Sequence, residues 1–160
     1  MRSGEVRPEG PDDAGPRGVR MASQDEIVDA LAGMAMFADL TTPQLKGVAH
    51  AFDEAWFPAG ERVLRQGLTG GSFYVILEGE AEIRVDGQQR ATLGKGEFFG
   101  DISILLGESP VADVVAKGQL RCLVLAGPQV ETFLKNHPPV MYRMLQALAR
   151  RLRSANRWRN

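Results

Sequence analysis

Residues 53–125 constrain the fold more than any other part of this 160-residue chain, because short runs of β-forming residues alternate there with glycines and turn pairs. This texture is typical of a β-barrel or a β-sandwich. Asp86 followed by Gly87 indicates a tight hairpin between two of the runs. We predict strands at 54–57, 62–65, 73–78, 81–85, 90–93, 111–116 and 119–125. We expect the core to include Phe73, Val75, Leu77, Leu93, Phe99, Leu105, Val114 and Leu123.

Helical patterns precede this β-rich segment. Ser23 is a candidate helix cap, with Glu26 three residues later as in a capping box, and apolar residues then recur at helical spacing. Thr42 followed by Pro43 predicts the cap and first residue of a second helix, which runs to about residue 51.

Three further helical stretches are predicted. The apolar run 101–106, directly after Gly100, is expected to form one or two turns inside the β-rich segment. After Gly127 we predict a short helix through Leu134, a break at 136–139 and a long C-terminal helix over about 138–157. The long helix carries an apolar seam with steps of four and three residues, as in helix pairs, at Met141, Leu145, Leu148, Leu152 and Ala155.

Length and composition favour one globular domain, since 44% of the residues are hydrophobic and 24% are charged. The first twenty residues are rich in Gly, Pro, Arg and acidic residues, so we predict a disordered leader over residues 1–22, with Met21 as an alternative start. The domain is then expected at 23–157, with its barrel at about 53–126.

The formal net charge of −1 hides an asymmetry along the chain. Residues 138–160 contain six arginines and no acidic residue, so the remainder of the chain carries −7. Such a basic end can contact phosphate, an acidic partner or the acidic body of the chain itself, although a charge run of this kind is most often only solvated.

Several classes of function find no support in the sequence. No apolar run approaches the roughly 18 residues that span a bilayer, and no secretory signal is present, so we expect a cytoplasmic protein without membrane contact. No recognised motif places a nucleophile beside His50 or His137, so we expect neither an enzyme nor a metal site. Cys122 is expected to be a buried thiol in a strand.

Three segments carry a resemblance to a known family. Segment 67–83, "GLTGGSFYVILEGEAEI", is similar to the glycine-punctuated hairpin of cyclic-nucleotide-binding domains, and segment 96–116, "GEFFGDISILLGESPVADVVA", resembles their phosphate-binding cassette. We call segment 96–116 the cassette. The run "ALARRL" at 147–152 looks like the C-helix of the catabolite activator protein family. The resemblance, over about 27–155, implies a mainly β fold with flanking helices: a double-stranded β-helix, or jelly-roll-like barrel, with N-terminal helices and a long C-terminal helix.

The resemblance also assigns candidate ligand contacts. It implies that Gly100 brings the backbone close to the ligand and that the amides of Ile102 and Ser103 face a phosphate. Asp101 stands where the family usually has Glu, which accepts a hydrogen bond from a ribose hydroxyl. Two alternatives without a ligand remain open: Gly100 serves only to start the helix, and Asp101 serves only to cap it. The other candidate ligand-binding residues are Val111, Ala112 and Asn156.

The cassette departs from the family where an arginine is expected. Family members that bind cyclic AMP carry an Arg near the end of the cassette, whereas no basic residue lies between Lys95 and Lys117 here. Every alignment of that position meets one of Ser109, Pro110, Val111, Ala112 and Asp113. A buried phosphate without a cationic partner is costly, so we expect weak or absent binding of cyclic AMP or cyclic GMP, and no other cofactor.

Three functional hypotheses remain open. The chain is a regulatory sensor of a cyclic-nucleotide-like ligand, a ligand-independent interaction or dimerisation module, or the effector domain of a truncated transcription regulator. The resemblance favours a homodimer through the C-terminal helix, with an unidentified protein partner as the alternative. We expect no binding to nucleic acid, because no residues after 157 remain to form a helix-turn-helix.

Overall fold

The computed structural model describes residues 21–68 and 71–157, so the predicted leader lies outside the described residues except for its last two positions. Two helices, separated by a 3-10 turn at Ala35–Phe37, precede the strands; they are α1 (Gln24–Ala32) and α2 (Thr42–Ala51). The strands are β1 (Asp53–Phe57), β2 (Arg62–Leu64), β3 (Ser72–Glu78), β4 (Ala81–Val85), β5 (Gln88–Leu93), β6 (Phe98–Phe99), β7 (Asp113–Ala116) and β8 (Leu120–Ala126). The remaining helices are α3 (Asp101–Leu106), α4 (Gly127–Asn136) and α5 (Pro138–Arg157).

These strands form two antiparallel sheets with the orders β1-β8-β3-β6 and β2-β7-β4-β5. Asp86 and Gly87 adopt positive φ angles of 52° and 78°, as the predicted hairpin between β4 and β5 requires. The two sheets and their flanking helices confirm the predicted mainly β barrel with helical ends.

Strand β3 is buried on both of its faces. Phe73, Val75 and Leu77 pack against the helices, whereas Tyr74 and Ile76 point into the interior between the two sheets. Because successive side chains of a strand point to opposite faces, one strand contributes to both clusters. The sheet that contains β3 therefore separates a larger helix-facing core from a smaller barrel core.

Two predicted helix starts can be compared with the structure. The Ser23 hydroxyl accepts a hydrogen bond from the Glu26 amide at 3.2 Å, as expected of a cap. The cap of α2 was predicted one residue too late, because Thr41 is the N-cap and forms a reciprocal capping box with Gln44. Thr42 is instead the first helical residue.

Four further differences separate the structure from the sequence-based predictions. Residues 111–112 are not in a strand, and β7 begins at Asp113. Leu105 was expected in the core but is 48% exposed, because α3 lies on the outside of the barrel. The two-residue strand β6, which pairs with β3, was not predicted. The predicted break at 136–139 narrows to His137, since α4 ends at Asn136 and α5 begins at Pro138.

Helix α5 packs on the body of the domain with a face that shares only Leu148 with the predicted seam. Val140 and Met144 are buried in the helix-facing core, with Ala147 and Leu148 partly buried against it. Arg143 also fastens the helix, because its guanidinium donates to both carboxylate oxygens of Asp39 at 2.7 and 3.0 Å. The seam residues Met141, Leu145 and Leu152 are exposed.

None of the helices in the described part of the chain has both the length and the apolar character needed to cross a membrane.

Two leucines, one buried and one exposed, test which residues form the core. Leu123 is fully buried between β3 and the helices, so Leu123→Ala should lower the free energy of unfolding by about 2–5 kcal/mol. Leu105→Ala removes the same atoms from an exposed position and should cost about 0.5 kcal/mol or less. Urea unfolding of both variants measures the difference, and equal losses would contradict the placement of α3.

Candidate ligand-binding site

A cleft of about 1530 Å³ lies between the barrel and α5. The β4–β5 hairpin, the cassette and one face of α5 contribute its walls, and Leu64, Ile83 and Val114 line its apolar side. Concave sites with mainly apolar walls and a few converging polar groups are typical of small-molecule binding.

The structure brings six of the seven predicted site residues together in this cleft. They are Gly100, Asp101, Ile102, Ser103, Val111 and Ala112. Asn156 is exposed and does not line the cleft, although its neighbours Ser154 and Ala155 do. The cassette thus forms one wall of the cleft. At the end of α5, Ser154 and Ala155 line the cleft in place of the predicted Asn156.

Gly100 holds the cassette against β3. It is the N-cap of α3 with φ of 84°, and a Cβ built on it would lie 2.3 Å from the backbone carbonyl oxygen of Ser72. A side chain is therefore excluded by both backbone conformation and space. Because the close contact is with the protein's own backbone, packing alone requires glycine here.

Asp101 is a buried carboxylate at the junction of the cassette and α5. It is 3% exposed and follows the N-cap, so it is not the capping residue of α3. Burial raises the pKa of its carboxyl above the ordinary value, and the positive charge of Arg151 opposes that shift. Its Oδ1 lies 3.5 Å from Arg151 Nη1, whereas its buried Oδ2 has no hydrogen-bond partner among the described residues.

The end of the cassette is turned so that its acidic residue faces away from the cleft. Asp113 accepts a hydrogen bond from the Gln66 amide at 2.7 Å and lies 3.8 Å from the guanidinium of Arg62. It does not line the cleft, whereas Val111 does and is 47% exposed. Asp113 is thus held by partners of its own outside the cleft.

Sequence reasoning missed the basic residues of the cleft. Arg143, Arg150 and Arg151 line it from α5, and Arg90 lines it from β5. The spacing of the arginines could have indicated them. Arg150 and Arg151 follow Arg143 by seven and eight residues, which places all three on one side of the helix. Arg121 of β8 does not line the cleft and lies beside Glu54, Glu78 and the ring of Trp56.

Two titratable groups outside the cleft, Cys122 and His137, are engaged within the fold. Burial raises the pKa of the Cys122 thiol to about 12, so it is a poor nucleophile. The ring of His137 is hydrogen-bonded through Nδ1 to the Phe133 carbonyl oxygen. Over residues 21–68 and 71–157, no group of three or more His, Cys, Asp or Glu is placed to hold a metal ion.

Comparison with known proteins identifies relatives of this architecture. The family described as "Cyclic nucleotide-binding domain" matches residues 54–137. The catabolite activator protein of Thermus thermophilus superposes with a TM-score of 0.68 at 29% identity, covering 76% of this chain and 60% of that chain. The regulatory subunit of a cAMP-independent protein kinase A from Trypanosoma cruzi, bound to guanosine, superposes with a TM-score of 0.66 at 25% identity, covering 77% of this chain and 45% of that one.

A curated relative contains a similar segment within a much longer protein. The cGMP-dependent protein kinase egl-4 of Caenorhabditis briggsae is 29% identical over 103 residues, which are 61% of this chain and 14% of the kinase. The chain therefore spans only a small part of that kinase.

Two glycines with the same backbone conformation test the role of Gly100. Gly60 has φ of 85° and open space around its Cβ position, so Gly60→Ala should cost about 1–2 kcal/mol for the left-handed conformation alone. Gly100→Ala adds the clash with Ser72 and should cost about 1–3 kcal/mol more. Chemical denaturation of both variants measures the difference in the free energy of unfolding. Equal destabilisation would show that the close contact with Ser72 does not exclude a side chain at position 100.

Proposed function

The chain belongs to the cyclic nucleotide-binding domain family, and from this premise we propose that it is a regulatory module that senses a small ligand in the cleft between the cassette and α5. The observation that carries the proposal is that both elements line one cleft. A ligand that contacts both changes their relative position only if it binds one arrangement better than the other.

The proposed contacts follow from the polar groups of the cleft. Asp101 offers a carboxylate whose Oδ2 lacks a partner, and it would accept a hydrogen bond from a ligand hydroxyl. The backbone at Ile102 and Ser103 would face the phosphate of a cyclic nucleotide, as the family resemblance implies.

Cyclic nucleotide binding is proposed to be weak, because the cassette has no arginine and two of the four arginines that line the cleft are engaged in ion pairs. Arg151 is paired with Asp101, and Arg143 is paired with Asp39. A hydrogen bond to a charged group contributes about 1.5–3 kcal/mol, and a lost buried ionic partner costs about 3–5 kcal/mol. At about 1.4 kcal/mol per factor of ten, the affinity falls by roughly one to three and a half orders of magnitude.

An uncharged nucleoside is a second candidate ligand. Two buried oxygens in residues that line the cleft, Asp101 Oδ2 and Gln146 Oε1, have no hydrogen-bond partner among the described residues. Both are acceptors, and the hydroxyl and amino groups of a nucleoside are donors. The guanosine bound to the Trypanosoma cruzi protein is a precedent for such a ligand in this fold.

The exposed seam of α5 supports a proposal of homodimerisation. Met141, Leu145 and Leu152 form an apolar face that the domain itself does not cover, with Tyr142 also exposed beside it. A second copy would bury the same face on both helices. If no ligand binds, a ligand-independent interaction module is the function that this face supports.

Titration of the unmodified chain tests the proposed weak site. We expect cyclic AMP and cyclic GMP to bind with dissociation constants above about 1 µM in isothermal calorimetry, because the cassette itself supplies no arginine to the phosphate. Guanosine carries no phosphate, so its affinity should not be lowered by the missing arginine. Submicromolar binding of a cyclic nucleotide would refute the argument from the missing arginine.

Restoring a cation to the cassette should recover part of the affinity. Val111→Arg places a guanidinium on the cleft wall, and cyclic AMP should bind about tenfold more tightly, as expected for one charge-assisted contact. Leu106→Arg adds the same charge at an exposed position that does not line the cleft. An equal gain in both variants would mean that net charge alone is responsible.

The proposed dimer is tested by sedimentation equilibrium at about 50 µM protein. We expect a dimeric mass for the full chain and a monomeric mass for Leu145→Glu, because a charge on the seam would be buried without a partner. Leu106→Glu, on exposed α3, serves as the control and should remain dimeric. A monomeric mass for the unmodified chain would count against the dimer.

A further inference from the structure

Arg151 of α5 reaches across the cleft and makes three contacts with the cassette. Its Nη2 donates to the carbonyl oxygen of Phe98 at 2.6 Å, and its Nη1 lies 3.5 Å from Asp101 Oδ1. Its guanidinium also sits over the Phe98 ring, 4.1 Å from the ring centroid. A planar guanidinium that is stacked, paired and hydrogen-bonded at once is held in a defined position.

Among the described residues, these are the last hydrogen bonds, ion pairs and ring contacts that α5 makes with the barrel. Before them, Val140 and Met144 are buried and Arg143 is paired with Asp39. After them, every described side chain from position 152 to position 156 is exposed. The end of the helix is therefore held to the domain through Arg151.

The same contacts close Asp101 to a ligand. The side chain of Asp101 is only 4% exposed, Arg151 stands beside its Oδ1, and its Oδ2 is buried. A hydroxyl that takes the place of Arg151 at Oδ1 must displace the guanidinium. We propose that Arg151 is a built-in competitor for Asp101, and that a ligand which takes Asp101 releases the end of α5.

This inference rests on the proposed function, since it needs a ligand with a hydroxyl that reaches Asp101. What the inference adds to the proposed function is a way in which ligand binding is coupled to the end of α5. The competitor is displaceable because its side chain is 36% exposed, so solvent screens the ion pair and supplies an alternative partner for the guanidinium. The release affects the part of the helix that carries Leu152, one of the exposed seam residues.

Hydrogen exchange on the full chain without ligand tests the first half of the inference. Arg151→Gln removes the charge and the stacked guanidinium, and the amides of 148–157 should exchange about five- to tenfold faster. Arg153→Gln is the matched control, because it removes the same charge from an exposed position two residues away. Unchanged exchange in Arg151→Gln, or equal acceleration in both variants, would overturn the proposal.

Ligand addition tests the second half, with cyclic AMP and guanosine as probes at about millimolar concentration, suited to weak sites. A probe that binds should accelerate exchange at 148–157 in the unmodified chain, and should bind Arg151→Gln up to about tenfold more tightly while binding Arg153→Gln as before. Weaker binding to Arg151→Gln would make Arg151 a ligand contact and overturn the competitor role.

The two proposals fail in different ways. If neither probe changes exchange anywhere in the cleft, the sensing function fails for these ligands, and the competitor role falls with it. The ligand-free comparison still reports whether Arg151 holds the helix. If a probe protects the cleft but leaves exchange at 148–157 unchanged, sensing stands and the competitor role alone is refuted.

Discussion

The backbone contact between Gly100 and Ser72 is the constraint on which the site depends. It lets the chain turn from β6 into α3 directly against β3, with no side chain between the two backbones. Tyr74 of β3 and Phe99 of β6 stack next to this turn, with ring centroids 4.6 Å apart and planes 7° from parallel. Asp101 follows the turn immediately, so the close approach of two backbones is what buries this carboxylate at the edge of the cleft.

Acidic and basic residues of the cleft come from different elements. The cassette contributes Glu97 and Asp101 and no base, whereas α5 and β5 contribute arginines and no acid. The arrangement inverts the expectation from the family resemblance, in which the cassette itself carries the cation. Internal pairing of Arg151 with Asp101 then lowers the net charge that a phosphate meets, although several arginines line the cleft.

Glycines and turn pairs predicted the barrel, because they mark the ends of strands locally, whereas the family resemblance supplied the position of the cassette. The sequence could not predict β6, since two residues become a strand only through long-range pairing with β3. It placed Leu105 in the core because periodicity over a six-residue helix cannot tell the covered face from the open one. The six cassette residues that line the cleft were named through the resemblance, whereas the arginines of α5 were not among the candidate contacts.

Helix α5 shows why the face of an amphipathic helix was harder to assign than its existence. Its sequence offers two apolar stripes, one with Val140 and Met144 and one with Met141, Leu145 and Leu152, displaced by one position. Local pattern favours the longer leucine stripe. The structure buries the shorter one, and on the same side of the helix Arg143 reaches Asp39 and Arg151 reaches the cassette.

The same helix therefore presents three faces with different surroundings. Val140 and Met144 anchor one face, which also carries Arg151 toward the end of the helix. Arg143 and Arg150 line the cleft from a second face, and a third leaves the leucine stripe exposed. In the proposed sensor, a ligand that moved the end of α5 would also move Leu152 on the third face. The anchoring face near the start of the helix confines such motion to its end, where the contact with the cassette lies.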